Sequence, residues 1–140
     1  MSIIERIVLD TSTLVSAILL PRSMPRQAFM RALASSTLCA SPSTLAELEE
    51  VLSRNKFDRY LDRESRMDFF LRYRHQVLSF PVTEAEERSL PQPCRDPRDD
   101  KFLALALHCS ANVVVSSDDD LLALHPWQGI PILNPAKFLK

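Results

Sequence analysis

Acidic side chains fall at places along this chain where their chemistry could be shared. Asp10 directly follows an apolar run, Ile7-Val8-Leu9, and Asp118 follows another, Val113-Val114-Val115, by three residues. If both runs are strands of one parallel sheet, both carboxylates arrive at the edge outside which such sheets bind ligands. Two carboxylates at that edge suit a metal site or an acid–base pair. Each also has a plainer reading, because an Asp after a strand commonly caps the next helix. In Asp118-Asp119-Asp120 a cap needs only one of three mutually repelling acids. Asp99 and Asp100 open a helix behind Pro97 and complement its positive end. That helix leads straight into the Val113 run, so its first turn can face the same crevice. Glu47, Glu49 and Glu50 share one helix. At about 100° per residue, Glu50 falls nearly opposite the apolar stripe and drops out, while Glu47 and Glu49 flank it and spacing does not choose between them.

Such acids meet only if the intervening elements bring them together. Apolar runs predict strands within 3–9 and at 37–40, 76–80, 112–116 and 130–133. Between them the pattern turns helical. A helix over 13–20 stops at Pro21, and Pro25 opens a second with Ala28, Phe29, Ala32 and Leu33 on one face. A third starts at Ser41-Pro42, with Ser43 as a rival cap, and runs to about Arg54 with Leu45, Leu48, Val51 and Leu52 inward. A fourth covers 63–75 with Met67, Phe70 and Leu71 inward. Helices at about 98–109, 118–124 and 135–139 complete the series, and three prolines keep 90–97 irregular. Strands alternating with helices make a parallel sheet covered on both faces, and continuous apolar strands agree with burial on both. The expected fold is doubly wound α/β, with one domain spanning 1–140.

Composition narrows the function. A length of 140 residues fits one domain. With Gly129 as the only glycine, both the GxGxxG dinucleotide loop and the GxxxxGK[ST] phosphate loop are excluded. No apolar run approaches the roughly 20 residues a membrane helix needs, and the N-terminus lacks the pattern of a secretory signal. Cys39, Cys94 and Cys109 have no metal-type spacing and read as reduced, buried thiols of a cytoplasmic protein. The net charge of −1 does not announce a nucleic-acid binder. Bases outnumber acids from Arg54 to Arg74, which a solvated helix also explains, and the balance reverses from Glu84 to Asp120.

Four segments resemble the PIN-domain ribonucleases. Asp10-Thr11-Ser12-Thr13-Leu14 is similar to the family's opening Asp-Thr-Asn after an apolar strand. Glu47-Leu48-Glu49-Glu50-Val51-Leu52 resembles its Glu-Leu-x-x-Val-Leu helix, which selects Glu47. Asp96-Pro97-Arg98-Asp99-Asp100-Lys101-Phe102-Leu103 is similar to its Asp-x-x-Asp-Asp-x-x-Leu segment, with Asp100 aligned as the third acid. Val115-Ser116-Ser117-Asp118-Asp119-Asp120-Leu121-Leu122 resembles its Val-Thr-x-Asp-x-Asp-Leu-Leu segment. The ending, Asn134-Pro135-Ala136-Lys137-Phe138-Leu139, follows the family's closing pattern. Ser12 and Ser116 depart from the family's Asn and Thr, yet both keep a hydrogen-bonding group that can orient Asp10 and Asp118.

The resemblance implies a three-layer PIN-like fold with a central parallel sheet of about five strands. It implies an RNA phosphodiester hydrolase with Asp10, Glu47, Asp100 and Asp118 as catalytic acids. One or two Mg²⁺ or Mn²⁺ ions would be held by Asp10, Asp100, Asp118 and Asp120, supported by Ser12, Ser116, Asp96 and Asp99. Hard cations with oxygen ligands relieve the repulsion of clustered carboxylates. Arg95, Arg98 and Lys101 adjoin these acids and are the first candidates for RNA phosphates. Arg22, Arg26, Arg54, Lys56 and Arg59 are further ones. The subgroup it is most similar to contains the toxins of bacterial toxin–antitoxin pairs. That implies an antitoxin partner, whose tail enters the acidic crevice, and a homodimer. A haloacid-dehalogenase-like phosphatase also starts with strand-Asp, but needs a second acid where Ser12 stands. A PIN-like RNA-binding module without activity would leave Glu47 without a role.

Overall fold

A computed structural model describes residues 5–140. Ile3 and Ile4 of the first expected strand, and most of the N-terminal segment read for a secretory signal, lie outside the described residues. Five parallel strands form the sheet in the order β3-β2-β1-β4-β5. They are β1 (Arg6–Leu9), β2 (Thr37–Ala40), β3 (Leu78–Ser79), β4 (Val113–Val115) and β5 (Ile132–Leu133). Helices α1 (Thr11–Leu19), α2 (Met24–Ser35), α3 (Pro42–Leu52) and α4 (Arg63–Gln76) precede β3. The chain continues through α5 (Glu84–Arg88), α6 (Asp100–His108), α7 (Asp119–Leu122) and α8 (Pro135–Phe138).

Alternate residues of each strand feed opposite layers. Ile7, Leu9, Leu38, Val113 and Val115 pack with the inner stripes of α1 to α4, including Leu14, Ile18, Phe29, Leu48, Leu52 and Phe70. Val8, Cys39, Val114 and Ile132 face the other way, onto Phe102, Leu103, Ala106, Leu121 and Trp127. The three cysteines are free and buried, as expected. Ser41, rather than Ser43, caps α3, in a reciprocal box with Thr44. Among the described residues no helix is long and apolar enough to cross a membrane.

Three expectations need correction. Strand 76–80 shrinks to Leu78–Ser79, both exposed, because α4 continues to Gln76 and, among the described residues, the strand pairs only with β2. Leu71 is half exposed: the buried stripe of α4 runs Arg66, Phe70, Tyr73, and Leu71 stands one residue round from it. Helix α5 was not anticipated, although Thr83 and Glu86 form a capping box whose Thr-x-x-Glu spacing is visible in the sequence.

Candidate active site

The sheet order reverses between β1 and β4, and there the crevice opens. Leu9 is in register with Val115, so Asp10 and Ser116 leave the sheet side by side, and the Asp10 N–H donates to the Val115 carbonyl at 3.2 Å. Asp10 caps α1 through Oδ1, which accepts the Thr13 N–H at 3.0 Å, and Ser12 Oγ lies 3.3 Å from the same oxygen. The Ser116 hydroxyl donates to Asp10 Oδ2 and accepts the Asp118 N–H at 2.9 Å. Asp118 caps α7, its Oδ1 accepting the Asp120 N–H at 2.7 Å. Capping and display are therefore not alternatives. The caps fix the carboxylates' orientation while both still line the crevice.

A short 3-10 turn, Pro97–Asp99, precedes α6 and is capped by Asp96. It turns Asp99 into the crevice with Asp10 and Asp118. Among the described residues, Asp99 Oδ2 is buried without a hydrogen-bond partner. Burial first, then the Asp118 carboxylate, then Asp96 and Asp10, push the Asp99 carboxyl up to about 7. Asp10 is raised too, by its burial, against the opposing pull of Ser116, Thr13 and Ser12. Asp100 is turned elsewhere. Its Oδ1 accepts the Cys94 N–H at 2.7 Å, and it lines a separate hollow with Glu84, Glu87 and Arg88. The structure thus brings Asp99, rather than the aligned Asp100, to Asp10 and Asp118, since adjacent residues at a helix start point about 100° apart.

On α3, Glu47 faces the crevice and bonds to Lys101, whereas Glu49 lies outside it. Glu50, set aside for lying opposite the apolar stripe, lines the crevice rim and is held by Arg54 at 2.8 Å. Turning away from the core does not turn a side chain away from an open cleft. Asp120 and Arg95 do not line the crevice. Of the basic candidates, Arg54, Lys56, Arg98 and Lys101 do, around a space of about 660 Å³. Arg26 is engaged with the Ala17 carbonyl at 2.9 Å, Arg59 with the Tyr60 hydroxyl at 2.6 Å, and Arg22 lines a different hollow. Phe57, overlooked in the sequence, lines the crevice beside Lys56, whose Nζ lies 5.1 Å from the ring centroid.

A family model described as the PIN domain matches residues 6–120. The chain belongs to the PIN-domain family. That membership removes the phosphatase alternative. Several solved structures share this PIN domain's fold. VapBC2 from Rickettsia felis, bound to a DNA fragment from their promoter, aligns at 18% identity with a TM-score of 0.61, covering 92% of this chain and 98% of that one. VapC20 from Mycobacterium tuberculosis, described as a sarcin-ricin loop cleaving toxin, aligns at 16% and 0.59, covering 89% and 98%. FitAcB from Neisseria gonorrhoeae aligns at 22% and 0.58, covering 93% and 98%. No curated protein gives a significant sequence match.

Among the described residues of this PIN domain, no three His, Cys, Asp or Glu side chains stand in ready ligand geometry. The donor set nonetheless fits a hard cation. It is all oxygen, it includes the orphaned Asp99 Oδ2, and burial together with the neighbouring carboxylates pushes the Asp99 carboxyl up to about 7. A stability test follows from the same burial and repulsion. Asp99 titrates near 7 when folded, against an ordinary value of 3.8, so the folded chain holds the extra proton between those limits. Its contribution to stability is complete below about 4 and is lost as pH rises through 7. The melting temperature of the metal-free protein should fall between pH 5 and 7.5, and fall less in Asp99→Asn. Equal slopes in calorimetric scans would show that Asp99 ionises normally.

Proposed function

We propose that this PIN domain is a Mg²⁺- or Mn²⁺-dependent ribonuclease, and the toxin of a toxin–antitoxin pair. The observation that carries the reading is the convergence of Asp10, Asp99 and Asp118 on one crevice, with an unpartnered carboxylate oxygen among them and bases at its rim. These three carboxylates would hold the ion, in place of the set containing Asp100 and Asp120. A bound ion of this kind lowers the pKa of a coordinated water and neutralises charge on a phosphodiester.

The chain's own groups supply the rest. Ser116 and Ser12 hold Asp10 in one orientation, and the Ser116 link to the Asp118 N–H keeps the two acids at a set separation. Arg98, itself oriented by Asp96 at 3.0 Å, and Lys56 present cations to the phosphates flanking the scissile one. Phe57 offers a face on which an unpaired base stacks, a mode that suits single-stranded RNA. Without such groups the acids would repel the substrate they cut.

Ser116→Ala should weaken Mn²⁺ binding by roughly 10–100-fold without unfolding the chain, as losses of groups that orient metal ligands do. Unchanged affinity in titration calorimetry would show that Asp10 is oriented without it. The reading as a whole is tested by cleavage of single-stranded RNA with Mn²⁺ and with a chelator, alongside Mn²⁺ titrations of wild type and Asp10→Asn. A wild type that binds no Mn²⁺ would remove the mechanism and leave the fold untouched.

An antitoxin partner, a homodimer and a cytoplasmic setting belong to the same proposal. The first two are supported by the resemblance to toxin components, the third by three free, buried thiols. Co-purification from the native source should recover a small partner with a basic segment for the acidic crevice. A single monomeric mass in light scattering would dispose of the homodimer.

A further inference from the structure

One cation of the crevice differs from the rest. The Lys101 side chain is 17% exposed, against 46% for Arg54 and 82% for Arg98. Its ammonium contacts Glu47 Oε2 and lies 5.8 Å from the centroid of the buried Phe102 ring, which also lines the crevice. An ammonium carries three donors. Among the described residues Glu47 is its one acceptor, so the other donors are left for whatever enters. The placement also runs against local preference. Lys101 stands in the first turn of α6, where the positive helix end disfavours a cation. A tie between α3 and α6 needs no charge there, since an apolar pair of similar volume holds as well or better. Local rules broken in this way are expected where function is served.

We infer that Lys101 is the catalytic cation of the scissile phosphate, and that Glu47 is the residue that positions it. The inference rests on the nuclease reading proposed above and gives Glu47 a part in it other than that of a metal ligand. In phosphodiester hydrolysis a water oxygen bonds to phosphorus, the bond to the leaving oxygen breaks, and one of that water's protons ends on the leaving oxygen. Negative charge grows on the non-bridging oxygens in between. The Lys101 ammonium donates to one of these oxygens and keeps its own protons. A fixed charge in a sheltered crevice acts on that growing charge more strongly than an exposed one does. Arg98 and Lys56, exposed at the rim, are screened by water and serve to bind the strand instead. Glu47 holds a long, flexible side chain to one direction. Its carboxylate is set by α3 and the lysine stem by α6, next to the turn that carries Asp99.

Single-turnover cleavage of a single-stranded RNA by the full chain at saturating Mn²⁺ tests this, with the rate at saturating protein read apart from the half-saturating concentration. Lys101→Met should lower the saturated rate by roughly 100–1000-fold, as loss of one preorganised donor does in oxyanion sites. Glu47→Gln should lower it by about tenfold or more, and Lys101→Met/Glu47→Gln should be no slower than Lys101→Met, because Glu47 acts through Lys101. In titration calorimetry Lys101→Met should bind Mn²⁺ at least as tightly as wild type, since the ion's ligands are untouched and a neighbouring positive charge is gone. Lys101→Gln replaces Lys101→Met if circular dichroism shows the latter to be misfolded. A loss under about tenfold in the Lys101 variant would overturn the inference while the nuclease reading stands. So would a loss confined to the half-saturating concentration, weakened Mn²⁺ binding in that variant, or a double variant slower than Lys101→Met. A wild type that cleaves no RNA with Mn²⁺ would overturn the nuclease reading and this inference with it.

Discussion

Asp99→Asn is expected to reduce metal-dependent RNA cleavage by about a thousandfold or more, while Asp100→Asn keeps most of the activity. The magnitude follows from what a correctly held ion contributes, several kcal/mol of charge stabilisation at about 1.4 kcal/mol per tenfold in rate. The contrast follows from direction. Asp99 faces Asp10 and Asp118 across the crevice, whereas Asp100 binds the Cys94 N–H on another side of the turn. An Asn at position 100 still offers an oxygen to that N–H, so the loop keeps its anchor. Initial rates on single-stranded RNA with saturating Mn²⁺ decide it. An inactive Asp100→Asn beside an active Asp99→Asn would restore Asp100 as the third acid. Asp99→Asn should also melt higher than wild type at pH 8 without metal, since it removes a charge that burial, then Asp118 and Asp96, oppose. A variant less active and more stable is the expected mark of a functional site.

Arg66→Met should cost roughly 3–5 kcal/mol of stability, because each of three backbone carbonyls left without its donor costs about 1–3 kcal/mol where it is buried. Arg66 is fully buried. Its guanidinium donates to the carbonyls of Leu52 at 2.6 Å, Leu61, and Arg54 at 3.3 Å, and pairs with Asp58 at 2.9 Å. It thereby folds 52–61 back on itself, and that segment carries Lys56 and Phe57 to the crevice rim. Methionine fills much of the volume but leaves the carbonyls unpaired in an apolar setting. Lysine does little better, because three donors on one nitrogen cannot span carbonyls that a planar fork reaches. Urea unfolding measures the loss. A value under about 1 kcal/mol would mean that water reaches those carbonyls readily.

Much of the fold is legible along the chain because burial on both faces leaves an unmistakable trace. Val113-Val114-Val115 and Ile7-Val8-Leu9 can hardly be anything but inner strands, and Asp10 and Asp118 follow from standing at their ends. What is not legible depends on small rotations or distant partners. Asp99 and Asp100 differ by one residue at the junction of a 3-10 turn and an α-helix, and no periodicity resolves such a junction. The place of Glu50 at the rim depends on where the cleft opens, which α3 alone does not say. Phe57 reaches the crevice because an arginine later in the chain ties down its loop, a connection with no local signature. Leu78 and Ser79 look like a buried strand until one knows that, among the described residues, β3 stands at the end of the sheet with β2 as its neighbour.

The pairing of β1 with β4 has a consequence in time. Ribosomes release a chain from its N-terminus at roughly 5–20 residues per second. The first strand must therefore wait for more than a hundred residues before its central neighbour exists. Until then Asp10 and Glu47 are present, yet there is no Ser116 to orient the one and no Asp118 to face it. A half-made chain carries an open sheet edge at β1, which is a hazard for association with other chains. It carries no assembled crevice at all. Whatever this crevice does, it begins to do it late in the making of each molecule, when the last inner strand slides into place.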